Sequence, residues 1–131
     1  SNKIKNILSK KNFKNFLNSG SIVFKPWGSY QVILEDKEYL IKKIRVKTSH
    51  RLSLQKHKHR SEHWVVVSGK ARITKGKKTK IIVKDESTFI PKGEVHCIEN
   101  CGNVILEIIE IQMGKLLSED DIIRLDDPYK R

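Results

Sequence analysis

Gln55-Lys56-His57-Lys58-His59-Arg60-Ser61-Glu62-His63-Trp64-Val65-Val66-Val67-Ser68-Gly69 is the stretch whose reading decides the fold of this chain and points to its chemistry. Four of the five histidines lie between His50 and His63, directly ahead of a valine run that reads as a buried strand. On a strand, side chains two positions apart share a face, so Gln55, His57 and His59 are expected to point together. Glu62 follows across Arg60-Ser61, where a bend would bring its carboxylate to the same side. Imidazole nitrogen and carboxylate oxygen suit a borderline divalent cation, Zn²⁺ first, and also Mn²⁺, Fe²⁺, Co²⁺ or Ni²⁺. A second segment, Pro91-Lys92-Gly93-Glu94-Val95-His96-Cys97-Ile98-Glu99-Asn100, offers one more imidazole behind a tight turn. Together they predict one metal site inside a β-barrel.

Working outward, 131 residues make one domain, large enough to bury a core without disulfides or other staples. No apolar run approaches the ~20 residues needed to cross a bilayer, and the N-terminal segment lacks the apolar core of a signal peptide. The expectation is a cytoplasmic protein with no membrane partner. Cys97 and Cys101 flank a predicted turn without any disulfide framework, so both are expected as reduced thiols. The opening Ser1-Asn2, without an initiator methionine, reads as a trimmed end, so the chain is expected to be a piece of a longer protein.

A net charge of +12 raises the question of nucleic acid. The lysines are scattered through turns (Lys10-Lys11, Lys42-Lys43, Lys77-Lys78), with no recognition motif and few aromatics. A lysine-rich solvated surface is the better reading, and no nucleic-acid partner is expected. A positive field would still draw a small anionic substrate.

Residues 3–18 carry Ile4, Ile7, Leu8, Phe13, Phe16 and Leu17 at helical spacing, ended by Ser19-Gly20. Residues 1–20 are therefore predicted as a short helix and linker, and residues 21–131 as the domain proper. Candidate strands are 30–34, 39–47, 51–56, 62–68, 70–75, 79–84, 87–90, 95–99 and 104–112, separated by turn residues such as Glu35-Asp36-Lys37, Gly76-Lys77-Lys78 and Lys84-Asp85-Glu86. Strands in this number with no helix between them predict an all-β sandwich or barrel. Ser118 before Glu119-Asp120-Asp121 resembles a helix N-cap and predicts a short C-terminal helical turn. Asp120, Asp121, Asp126 and Asp127 read as a solvated acidic tail.

With both segments quoted, the chain resembles the cupin superfamily. Its first motif, His-x-His, four residues, Glu, six residues, Gly, reads here as Gln55-x-His57, Glu62 and Gly69. Its second, Pro-x-Gly, two residues, His, three residues, Asn, reads as Pro91-x-Gly93, His96 and Asn100. Ser49 and Asp85 stand where the motifs open on glycine. Gln55 in place of the first histidine, with Lys25-Pro26-Trp27-Gly28-Ser29-Tyr30, Arg51-Leu52-Ser53-Leu54-Gln55 and Glu119-Asp120-Asp121-Ile122-Ile123-Arg124, narrows the likeness to the type II phosphomannose isomerase domain. That resemblance covers about residues 23–131. Lys58 stands where a further histidine is common, and Tyr129-Lys130-Arg131 replaces a closing Tyr-Gly-Arg.

The resemblance implies a cupin-type jelly-roll β-barrel and a metal-dependent isomerase interconverting mannose 6-phosphate and fructose 6-phosphate. It implies a Gln55, His57, Glu62 and His96 ligand set for one divalent ion, and a phosphorylated hexose as the small-molecule partner. It also implies an upstream nucleotidyltransferase domain in the longer protein, although no glycine-rich nucleotidyltransferase loop lies in this stretch. Dimerisation through an edge strand is a further expectation for a half-open barrel.

For the proton-transfer base, alternation puts His59 beside His57, and an imidazole titrates near neutrality. For the phosphate, Arg60 in the bend is the first candidate, with Arg124, and with Arg51 and Ser53 on the Gln55 face. Trp64 alternates inward with Glu62, either as a platform for the sugar or as a core residue. His63 is expected to point outward, His50 to sit in a loop, and Trp27 and Tyr30 to pack at the barrel end. The rival readings are a non-catalytic metal- or sugar-binding module of a larger enzyme, and a metal-dependent dioxygenase, which the Gln55 position disfavours.

Overall fold

The computed structural model describes residues 20–115 and 117–130, and the helix expected over 3–18 lies outside them. Eleven strands follow in order: β1 (Ile22–Lys25), β2 (Gly28–Glu35), β3 (Tyr39–Val46), β4 (Leu54–Lys56), β5 (Ser61–Ser68), β6 (Lys70–Lys75), β7 (Lys78–Val83), β8 (Ser87–Ile90), β9 (His96–Asn100), β10 (Leu106–Met113) and β11 (Ile123–Asp126). One sheet has the order β1-β2-β3-β10-β5-β8, the other β11-β4-β9-β6-β7, and every pair is antiparallel.

Alternation explains which faces meet. In β5, Glu62, Trp64 and Val66 are buried while His63, Val65 and Val67 are exposed. The valine run is therefore half-buried, because only one face of this sheet is covered. In β10, Leu106, Ile108, Glu110 and Gln112 face inward. The apolar core, including Ile44, Val46, Trp64, Val66, Ile73, Ile98, Leu106 and Ile108, fills one end of the space between the sheets. Polar side chains fill the other end.

Three expectations are corrected. The sheets do not close into a barrel: each keeps two free edges, so the architecture is a two-sheet sandwich of double-stranded β-helix type. No helix occurs among the described residues. At Ser118 the capping pattern makes only a turn, with the Asp121 N–H donating to Ser118 O (3.1 Å) and the Asp120 N–H to Ser118 Oγ (3.1 Å). The chain then extends as β11, which pairs with β4. Both β1 and β11, short edge strands, lay outside the nine expected.

The two places where glycine opens the motifs hold non-glycine residues in the left-handed region, Ser49 at φ 62° and Asp85 at φ 73°. Aspartate tolerates that conformation better than serine does. Ser49→Gly is expected to raise stability by about 0.5–1 kcal/mol, read as a rise of a few degrees in Tm. An unchanged or lower Tm would show that the turn carries no strain. Gly28 is constrained by space: a Cβ there would lie 2.0 Å from Arg45 O. Asn100 closes the β9–β10 connection, donating to Val46 O and Val104 O and accepting from the Gly102 N–H.

Candidate metal centre

Between the sheets, at the polar end, lies a cavity of about 80 Å³ lined by Gln55, His57, Glu62, Trp64, His96 and Glu110, among others. β5 delivers Glu62, the start of β9 delivers His96, and β4 with the residue after it delivers Gln55 and His57. Gln55 and His96 face each other in register across β4 and β9. Ligand atoms of His57, Glu62 and His96 all lie within 4.8 Å of one another, and all three residues are buried. Glu62 Oε1 is 3.1 Å from His57 Nε2 and 3.9 Å from His96 Nε2.

The surroundings aim these atoms. His57 Nδ1 donates to Asp121 O (2.5 Å) and His96 Nδ1 to Glu94 O (3.0 Å), which leaves both Nε2 lone pairs turned toward Glu62. The Trp64 indole N–H donates to Glu62 Oε2 at 2.8 Å, leaving Oε1 for the shared centre. Two neutral imidazoles, one carboxylate and a nearby amide form a donor set that fits a borderline divalent cation. Arg60 reaches the same groups: Nε donates to Glu62 Oε1 (3.1 Å), one terminal nitrogen to His57 Nε2 (3.2 Å) and the other to Ser118 O (3.2 Å). Desolvation opposes the Glu62 charge, but the facing His57 and His96 imidazoles and the Arg60 guanidinium outweigh it and hold the carboxyl well below its usual range. Burial keeps the His96 pKa low, against the pull of Glu62.

Glu110 faces the same cavity and is the group that pattern reading missed. It is buried, and Gln112 Nε2 donates to its Oε1. Desolvation, with the neighbouring Glu62 charge, pushes its pKa up to about 8, so one carboxyl of the pair carries the charge and the other the proton. Lys42, also buried, donates to Glu119 and lies 4.4 Å from the centroid of the Tyr30 ring. Ser53 Oγ lines the cavity with no hydrogen-bond partner.

Several expected positions differ. His59 does not share the His57 face: β4 ends at Lys56, and the chain bends at Lys58-His59, leaving His59 exposed and outside this cavity. The bend is held by the Asp121 carboxylate, which accepts from the Lys58 and His59 N–H groups (both 2.9 Å). Gly114 packs so close that a Cβ would lie 2.3 Å from His59 O. Arg51 does not line the cavity; it pairs with Asp126 at 2.9 Å. Asp121 and Asp126 are thus engaged, not a free acidic tail. Arg124 reaches the cavity wall from β11, opposite Gln55. Tyr30 lines the cavity, Trp27 is buried beside it, His63 points outward against Phe89, and His50 stacks on Tyr129. Cys97 and Cys101 are free thiols.

Comparison with known proteins agrees with this architecture. The cupin domain of Schizosaccharomyces pombe Cnp3 superposes with a TM-score of 0.67 at 14 % identity, covering 72 % of this chain and 70 % of that one. The oxalate decarboxylase of Bacillus subtilis, a protein with Mn(II) centres, superposes with a TM-score of 0.68 at 19 % identity, covering 80 % of this chain and 30 % of that one. Mannose-1-phosphate guanylyltransferase RfbM of Salmonella typhimurium is 49 % identical over 117 residues, which are 89 % of this chain and 24 % of that protein. The chain thus spans about a quarter of the length of that relative. Residues 12–127 match the family described as mannose-6-phosphate isomerase C-terminal. On that match and on its cupin fold, this chain belongs to the mannose-6-phosphate isomerase C-terminal family.

Proposed function

We propose that this chain is a metal-dependent aldose–ketose isomerase that interconverts mannose 6-phosphate and fructose 6-phosphate through a cis-enediol. The observation that carries the reading is the convergence of His57 Nε2, Glu62 Oε1 and His96 Nε2 in one buried cavity that the Glu110 carboxyl also lines. His57, Glu62 and His96, with Gln55, would hold the ion, zinc being the first choice and Co, Mn, Ni or Fe the others. When bound, it supplies Lewis acidity toward the sugar's carbonyl and hydroxyl oxygens.

The chain's own residues do the rest. The reaction moves a proton between adjacent carbons, so one group must take it, keep it from water and return it. Glu110 is placed for this in its ionised form: Oε1 accepts from Gln112, which leaves Oε2 to take the proton from one carbon and return it to the next. It takes the role that alternation had put on His59. Trp64 keeps Glu62 oriented, so its indole edge is committed to the carboxylate as well as to the core. Ser53 Oγ is free to bond a sugar hydroxyl. The likeness to a longer guanylyltransferase supports a chain that works joined to an upstream nucleotidyltransferase segment.

The test mixes the protein, Zn²⁺ or Co²⁺ and mannose 6-phosphate and follows the appearance of fructose 6-phosphate. Gln55→Ala and His96→Ala are expected to weaken metal binding by roughly 10–100-fold or more and to lose turnover with it. Intact metal binding with no turnover would overturn the isomerase reading in favour of a non-catalytic module.

A further inference from the structure

A buried lysine needs a partner. Lys42, in the middle of β3, is 5 % exposed, yet its partner comes from outside: the Glu119 side chain, 65 % exposed, sits on the turn after Ser118. The pair is thus a cation in the cavity wall neutralised by an anion that faces solvent. Lys25 lies on the same side, 6.0 Å from the Tyr30 ring centroid, and it lines the cavity with Lys42 and Glu119. Two of the three arginines near the cavity are engaged elsewhere, and the third, Arg124, reaches the wall from β11, in the sheet opposite Lys42. Arg60 spends its donors on Glu62, His57 and Ser118 O, and Arg51 is tied to Asp126 outside it.

Register sets the distance from the metal-binding side chains. Lys42 faces Glu110 on β10, and β10 lies between β3 and β5. Two interstrand spacings, about 10 Å, separate the Lys42 strand from the Glu62 strand. That is the arrangement required by a ligand with reacting carbons at one end of a six-carbon chain and an anionic group at the other.

We propose that Lys42, flanked by Lys25, anchors the phosphate of the substrate, and that the Glu119 carboxylate holds that place in the free protein and is displaced when phosphate enters. The proposal rests on the hexose-phosphate reading above. A phosphate dianion brings more charge than a carboxylate and three acceptor oxygens, so it competes well for an ammonium group whose present partner is half in water.

Binding of inorganic phosphate, mannose 6-phosphate and unphosphorylated mannose to the full chain is measured by calorimetry, with and without Zn²⁺. Lys42→Met is expected to weaken both phosphate ligands by about tenfold or more and to leave mannose unchanged. Lys42→Arg should restore most of the loss, and circular dichroism of both variants checks the fold. Glu119→Gln is expected to tighten phosphate binding several-fold, because the competing anion is gone. Equal phosphate affinity for Lys42→Met and the parent, or weaker binding by Glu119→Gln, overturns the proposal. Lys42-dependent phosphate binding without isomerisation would sink the proposed activity and keep the anchor. Isomerisation with KM unchanged in Lys42→Met would do the reverse.

Discussion

Glu62→Gln is expected to lower metal affinity by at least about 100-fold and to abolish isomerisation to within the assay background. The carboxylate is the one charged donor among the three clustered ligand atoms, and its Oε1 is the atom the two imidazoles face. Glutamine keeps the shape and can still accept from Trp64, so lost packing is a small part of the effect. The charge also matters to the metal-free chain, because the Arg60 guanidinium is buried against it. Removing one partner of a buried pair leaves the other uncompensated, at a cost of about 3–5 kcal/mol, or on the order of 10 °C in Tm. The pH dependence has a definite sign. The folded Glu62 pKa lies below its ordinary value of 4.5, so its contribution is full above that pH and is lost as pH falls toward the folded pKa. Melting curves of the metal-free parent should therefore weaken on acidification more than those of the variant. A variant that binds Zn²⁺ like the parent would remove the basis for the site.

Glu110→Gln is expected to reduce kcat by about 10²–10⁴-fold while leaving metal affinity within a few-fold. Its stability signature runs opposite to that of Glu62. With the pKa raised from 4.5 to about 8, the folded protein keeps a proton that the unfolded chain releases. The metal-free parent therefore loses stability as pH rises between those values, by ~5 kcal/mol at most. Glutamine carries no titrating proton, so the variant should show a flatter profile and a higher Tm than the parent near pH 8. His59→Ala, altering an exposed side chain on the bend, should retain nearly full turnover. If Glu110→Gln turns over at the parent rate, the proton is carried elsewhere. If His59→Ala is the inactive one, the bend closes over the substrate in a way the free chain does not display.

The contrast between His59 and Glu110 shows how far local pattern reading reaches. Period-two alternation holds only while hydrogen-bonded pairing continues. β4 stops at Lys56, and the bend beyond it is shaped by Asp121, 62 residues past His59 along the chain. No spacing rule between Gln55 and Glu62 encodes that contact. Glu110 and Lys42 were hidden for another reason. In β10 the alternatives Leu106-Ile108-Glu110-Gln112 and Glu107-Ile109-Ile111 both contain apolar residues, so neither face announces itself as the inner one. In β3, Lys42 and Lys43 stand side by side, and only the partner strands decide that Lys42 is the buried one. Lys42 therefore reads, with Lys43, as ordinary solvated charge, and Glu110 carries no local signal of its own.

The sequence by itself determined nine of the eleven strands, most of the turns, and the likeness to cupins and to phosphomannose isomerase domains, because these rest on short spacings that each segment carries alone. It also located the residues that converge on the cavity from β4, β5 and β9. Tertiary structure alone decided which face of β3 and of β10 is inside, that the sheets stay open, and that Glu110 shares a buried cavity with Glu62. It alone brought the turn at Ser118–Asp121 over the site, where Asp121 orients His57 and Glu119 meets Lys42. The reason is physical: burial and charge coupling belong to groups brought together across the two sheets, and they exist only once the chain has folded.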